Sequence, residues 1–262
     1  MELKKYSEAT AEDFGVVFYS KGTFKTTKLF DKEVKKKVSA FFEDEKRSSL
    51  MISKEFSNLP GDLLFVRDFD AKKPDHKKEA WITGVFNQID GMGVEAANVY
   101  ADTSSQFKDK NFIFNLAKYA EKSAYRYTDT NPNTKKERKL TSVTICVEKS
   151  SAALVRNVEL GYNVGRGANT ARNLGNRPAN HATPTYIADQ VKELAKEVKG
   201  FKVNVLEEAD MEKLGMGSLL SVSRGSVEPA KLVTMEYNGG KKGAKPIVCL
   251  LYTSPSPRDR IA

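Results

Sequence analysis

The chain has 262 residues, 40% of them hydrophobic and 29% charged, with a formal net charge of +9. That is enough apolar material for one large domain or two small ones with cores of their own. The opening run MELKKYSEATAEDFGVVFYS lacks the apolar stretch and cleavage site of a secretory signal, and no run of about 18 or more apolar residues occurs, so the expectation is a cytoplasmic protein without a membrane span.

Strand-like runs, rich in β-branched residues, begin at Gly15 (GVVFYS), Asp62 (DLLFVRDF), Trp81 (WITGVF) and Thr141 (TSVTICVE). Later ones begin at Lys202 (KVNVLE), Lys231 (KLVTMEY) and Pro246 (PIVCLL), short enough and apolar enough to be buried on both faces. Helical segments lie between them. KEVKKKVSAFF sets Val34, Val38 and Phe41 on one face, and FIFNLAKYAEKSAYRY carries apolar positions from Phe112 through Leu116, Tyr119 and Ala120. A long helix is predicted from Ser151 to about Leu174, with Leu154, Val158, Gly161, Gly165 and Ala168 on one face. TPTYIADQVKELAKEVKG predicts a helix capped by Thr183, opened by Pro184, buried along Ile187, Val191, Leu194 and Val198, and closed by Gly200.

Strand and helix alternate throughout, so the fold class is α/β. The expected division is an N-terminal α/β domain over 1–150, a connecting helix over 151–176, an incomplete second α/β domain over 177–251, and a tail of different character over 252–262.

Read residue by residue, the chain offers no catalytic, cofactor-binding or metal-ligating residue. GRGANT at Gly165 contains G-x-G, but the glycines sit inside a helical pattern rather than after a strand, so helix packing is the reading. His76 lies in the charged loop KKPDHKKE and His181 precedes a helix cap; neither spacing makes a metal site. Cys146 and Cys249 both fall in apolar runs and read as reduced core thiols. Glu207, Glu208 and Asp210 follow a strand and suit a helix N-terminus, where the macrodipole stabilises acids. The lysines are interleaved with acids, as in ELAKEVKG, and the densest run, TKKERK at Thr134–Lys139, reads as a solvated loop; nucleic acid is therefore an unlikely partner.

One ordered set of motifs goes further. The N-x-A-R-x-L-x-N-x-P-x-N pattern at Asn169 to Asn180 is followed by GMGSLL with SRGS, then by KLVTMEYNGG and KPIVCL. Together, from about Gly161 to Leu250, they resemble the leucyl (cytosol) aminopeptidase family. The resemblance implies an N-terminal α/β domain ahead of a catalytic one, hexameric assembly, peptide substrates, and two divalent metal ions, Zn or Mn, that activate a bridging water. In the family the metal ligands come from a G-K-G-x-T-F-D-S-G-G block directly after the strand matching PIVCL, and from a later N-T-D-A-E-G-R block. Where the first should begin, this sequence has Leu251-Tyr252-Thr253-Ser254-Pro255. No metal is therefore expected to bind this chain, and the expectation is a fragment truncated before the metal site and inactive alone. The alternative is a non-catalytic binding or oligomerisation module that associates with nucleic acid through its basic N-terminal domain; an unrelated nucleotide-binding α/β protein is disfavoured by the lack of a glycine-rich strand-to-helix turn.

Overall fold

The computed structural model describes residues 1–9, 13–26, 28–54, 61–70, 73–109, 111–130, 138–241 and 243–249. Its contacts divide the chain into two units, Met1–Arg177 and Pro178–Ala262.

The first unit is built on β2 (Phe14–Tyr19), whose six residues FGVVFY are all buried. β2 pairs in parallel with β4 (Leu63–Arg67) on one side and β5 (Ala96–Tyr100) on the other. β6 (Ser142–Val147) continues from β5, and β1 (Glu2–Lys5) from β6, again in parallel. Only β3 (Ser49–Ile52) runs antiparallel, as the edge strand beside β4. The order is β1-β6-β5-β2-β4-β3.

A parallel sheet hides both faces, and alternation along β2 shows how. Val16 and Phe18 enter one core with Leu64, Val66 and Val99, while Val17 and Tyr19 enter another with Leu63 and Phe65. α1 (Lys21–Thr26) and α2 (Lys32–Phe41) cover the second face through Phe24, Val34 and Val38, and the Asp31 cap of α2 accepts the Val34 N–H at 2.8 Å. α3 (Asp75–Gly91) and α4 (Phe112–Ser123) cover the first through Ile82, Phe86, Phe112 and Leu116, all nearly solvent-free. Each such side chain contributes about 1.5–3 kcal/mol.

Two sequence readings are corrected by α3. The WITGVF run from Trp81 is helix rather than strand: Ile82, Val85, Phe86 and Ile89 are buried at helical spacing. His76 lies in the first turn of this helix, not in a loop. β1, β3 and β5 are strands that the residue pattern did not announce.

α5 (Ala152–Asn176) is capped by Ser151, whose hydroxyl accepts the Leu154 N–H at 3.3 Å. It packs along α4 and lies within the first unit. Val158, Gly161 and Gly165 are its buried positions, on the face predicted from sequence.

The second unit contains α6 (Pro184–Glu197), β7 (Phe201–Leu206), α7 (Glu208–Lys213), α8 (Gly217–Ser223) and β8 (Leu232–Tyr237). Thr183 caps α6 by accepting the Tyr186 N–H at 3.2 Å, with Pro184 in the first turn. The chain then turns through Gly200, whose φ of +83° favours glycine. β7 and β8 pair antiparallel, with Phe201 opposite Tyr237 and Leu206 opposite Leu232.

Burial here departs from expectation. On α6 only Ala188 and Val191 are buried, whereas Ile187, Leu194 and Val198 of the predicted stripe are 37%, 43% and 36% exposed. The Pro246 run is not a strand over its described part: residues 246–249 have no ladder partner, and Ile247 is fully exposed. A strand exists only through its neighbour, and apolar sequence alone does not create one. Leu250 and Leu251 fall outside the described residues.

Candidate functional site

The signature at Asn169 to Asn180 begins in the last turns of α5, and four of its residues, Asn169, Arg172, Asn176 and Arg177, reach the C-terminal end of α4 and the segment that follows it. Asn169 Nδ2 donates to the Glu121 carbonyl at 2.9 Å. Arg172 Nη1 donates to the Lys122 carbonyl at 3.0 Å and to Asn169 Oδ1 at 3.2 Å, with its guanidinium 5.7 Å from the Tyr125 ring centroid. Asn176 Nδ2 donates to the Tyr125 hydroxyl at 3.0 Å, and Arg177 pairs with Asp129 at 2.5 Å. The last carbonyls of a helix have no partner within it, and this set supplies donors for two of them. The signature residues thus act first as a clamp between α5 and α4.

Glycine makes the clamp possible. A Cβ on Gly161 would meet the Phe114 carbonyl oxygen at 2.2 Å, and one on Gly165 would meet Glu121 Cβ at 2.7 Å and the Lys118 carbonyl at 2.8 Å. The helix-packing reading of G-x-G therefore holds for Gly165, while Gly167 faces open space.

Beside the clamp, α3, α4 and α5 enclose an open cleft of about 510 Å³ lined in part by His76, Glu79, Lys122, Arg126 and Arg172. Its cations are engaged: Lys122 with Glu79, Arg126 with Asp90 at 3.5 Å, and Arg172 with the carbonyl just described.

In the second unit GMGSLL spans the α7–α8 turn and the start of α8, and SRGS spans the end of α8 and the segment after it. With Glu208 and Glu212 they line a depression of about 450 Å³. Gly215 sits at φ +69°, the conformation that this turn requires. The three acids read from sequence as a helix start occupy that place. Asp210 Oδ2 accepts the Glu207 N–H at 3.2 Å, Glu208 Oε1 accepts the Ala230 N–H at 2.8 Å, and Glu207 pairs with Lys231 at 2.5 Å. They tie α7 to the approach of β8.

These engagements decide whether the present donors fit a metal pair. They do not: among the described residues no group of three or more His, Cys, Asp or Glu side chains is placed to hold a metal ion. His181 is exposed, and its N–H donates to the Pro178 carbonyl at 2.9 Å. Cys146 is a buried core thiol, and burial pushes its pKa up to about 12. Cys249 is exposed, which corrects its reading as a core residue; it lies on the unpaired stretch after Pro246. Among the described residues no helix is long and apolar enough to cross a membrane.

Comparison with known proteins bears on residues 169–250, which match the catalytic domain of the cytosol aminopeptidase family. A probable cytosol aminopeptidase of Thioalkalivibrio sulfidiphilus is 40% identical over 189 residues, 70% of this chain and 37% of that protein. One from Nitrosococcus oceani is 43% identical over 136 residues, 51% of this chain and 27% of that protein. The chain thus spans about a third of the length of the curated relatives it matches. In fold it is similar to a mutant of tomato leucine aminopeptidase, with a TM-score of 0.68 at 16% identity, covering 89% of this chain and 50% of the other. It is also similar to the bottromycin maturation enzyme BotP in complex with Mn, with a TM-score of 0.62 at 20% identity, covering 88% and 46%. The clamp residues, the α7–α8 turn and β8 all fall inside the matched stretch, and the chain belongs to the cytosol aminopeptidase family.

Proposed function

We propose that this chain is part of a metal-dependent, cytoplasmic aminopeptidase that removes N-terminal residues from peptides. In this reading 1–150 is the N-terminal domain, 151–176 the connecting helix, and 177–251 the beginning of the catalytic domain of a hexamer. The observation that carries it is the continuous catalytic-domain match from Asn169 onward, whose polar residues fasten α5 to the end of α4.

The reading separates the protein from the 262-residue chain. A two-metal hydrolase needs several carboxylate, His or Lys donors converging on one point. Of the acids in the matched stretch Asp210 caps α7 and Glu207 pairs with Lys231, and among the described residues no three His, Cys, Asp or Glu side chains are grouped to hold a metal ion. This chain alone therefore does not hydrolyse peptides. Zinc or manganese binding and the release of an N-terminal residue belong to a protein that also carries the missing ligand block.

Leucine p-nitroanilide hydrolysis with added Mn²⁺ or Zn²⁺ tests both statements. The purified 262-residue chain is expected to be inactive. A protein extended in frame beyond Leu250 with the G-K-G and D-S-G-G block is expected to be active and chelator-sensitive. Turnover by a mass-verified 262-residue chain overturns the first statement, and an inactive but folded extended protein overturns the second.

A further inference from the structure

The two units differ in how far they hide apolar side chains. Among the described residues of the second unit only Ala188, Val191 and Met211 are buried hydrophobics, too few for a core of its own. It carries eleven of the sixteen exposed large hydrophobics among the described residues, although it is the shorter unit. A two-stranded ribbon is at best marginally stable in water, and β7 and β8 pair only with each other. β8 is the open side. Thr234, Met235, Glu236 and Tyr237 are all exposed, Met235 at 59% and Tyr237 at 65%, whereas Val203, Val205 and Leu206 of β7 are half-buried. Successive side chains point to opposite faces, so this end of β8 is uncovered on both. The alternation of the ladder also turns the Val233, Met235 and Tyr237 amides away from β7, towards no strand among the described residues.

An unpaired edge beside an uncovered apolar surface is a place where another chain adds a strand. The match indicates which chain: residues 169–250 correspond to a catalytic domain, and this chain spans about a third of the length of its relatives. We infer that β8 docks the later part of a cytosol aminopeptidase catalytic domain supplied as a separate polypeptide. One strand of that part adds to the free edge of β8, and its apolar side chains cover Met235 and Tyr237. The edge is preformed, because β8 is already held by its ladder to β7, so only the incoming part has to be ordered. A second copy of this chain is the competing occupant, but it would bring another open face rather than the side chains that close one. The choice of partner rests on the peptidase reading, whereas the open edge does not.

The probe is the portion of the Thioalkalivibrio sulfidiphilus protein that follows its counterpart of Leu250, made as a separate polypeptide. Sedimentation with the 262-residue chain is expected to show a one-to-one complex with a Kd of about 10 μM or tighter. Chymotryptic cleavage after Tyr237 is expected to slow at least about tenfold in that complex. Met235→Pro removes an outward amide without touching the β7 ladder and is expected to abolish both effects. Tyr237→Lys is expected to weaken association at least about tenfold, with the urea midpoint reported by Trp81, the single tryptophan, unchanged. It decides the question if the proline variant fails to fold. Absence of a complex at about 100 μM overturns the proposal, as does association unchanged in both variants. If the probe aggregates alone, it is joined in frame after Leu250, and cleavage after Tyr237 as fast as in the 262-residue chain then overturns the proposal. A dimer of the 262-residue chain that the probe does not dissociate assigns the face to a second copy, with the same result. A complex that forms but does not hydrolyse leucine p-nitroanilide with added Mn²⁺ overturns the peptidase reading and leaves the docking edge standing.

Discussion

A methyl group placed on Gly161 would sit 2.2 Å from the carbonyl oxygen of Phe114, a main-chain atom that cannot swing aside. The α4–α5 contact is therefore a backbone-to-backbone approach, set by the absence of a side chain. Gly161→Ala is expected to destabilise the chain by on the order of 2 kcal/mol, because overpacking outweighs the gain of about 1 kcal/mol in helix propensity. Gly167→Ala, with open space around it on the same helix, is expected to stabilise by about 0.5–1 kcal/mol. Urea midpoints at constant m-value read both signs, and a destabilised Gly167→Ala would contradict the packing described.

The clamp gives a second expectation. Arg172→Ala removes the donor to the Lys122 carbonyl and the cover over the Tyr125 ring, at a cost of about 1–3 kcal/mol. Asn169→Ala costs less, about 1 kcal/mol, and the double variant falls short of the sum because Arg172 also donates to Asn169. A double-mutant cycle in urea that returned strict additivity would remove the claim that the two residues act together.

Thiol chemistry separates the two cysteines. The thiolate is the reactive form, and burial holds Cys146 at about 12 whereas Cys249 is exposed. At pH 8 Ellman's reagent is expected to label Cys249 at once and Cys146 only on unfolding in guanidinium. Rapid native labelling of both would show that Cys146 is not enclosed.

Alkaline stability follows with a definite sign. Cys146 is raised from 9.0 to about 12, and Tyr100 from 10.0 to about 12, in each case chiefly by burial. Both bind their protons more tightly when folded, so their contribution is fully present below pH 9 and is lost as pH climbs from 9 towards 12. Unfolding free energy is expected to decline across that window, and the slope is expected to flatten in Cys146→Ala whatever that variant's stability at pH 7. An unchanged slope would place the alkaline transition elsewhere.

Legibility in the sequence followed the physics of each element. β2, β4 and β6 could be read because strands buried on both faces are continuously apolar, as Val16, Val17 and Phe18 are. α3 was misread because Trp81, Ile82, Val85 and Phe86 are β-favouring side chains; only their spacing together with Ile89 marks the helix. β1, with the sequence ELKK, carries no hydrophobic signal, since its strand character comes from its ladder to β6. The α6 stripe was legible as a pattern, yet pattern does not reveal what covers Leu194 or Val198. At the site, the Asn169–Arg172 spacing was visible, but its partners at Glu121 and Lys122 lie about fifty residues earlier and carry no local mark.

The pairing of β7 with β8 alone has a consequence on the timescale of minutes to hours. Asn238 N–H donates to the Gly200 carbonyl directly opposite it, which fixes the alternation of the ladder. Lys202, Asn204 and Leu206 then direct their amides towards β8, whereas Val203 and Val205 direct theirs away from any strand among the described residues. In deuterated buffer the proton signals of Val203 and Val205 should fade before those of Lys202, Asn204 and Leu206. Buried β2 is flanked on both sides, and its amides should fade together.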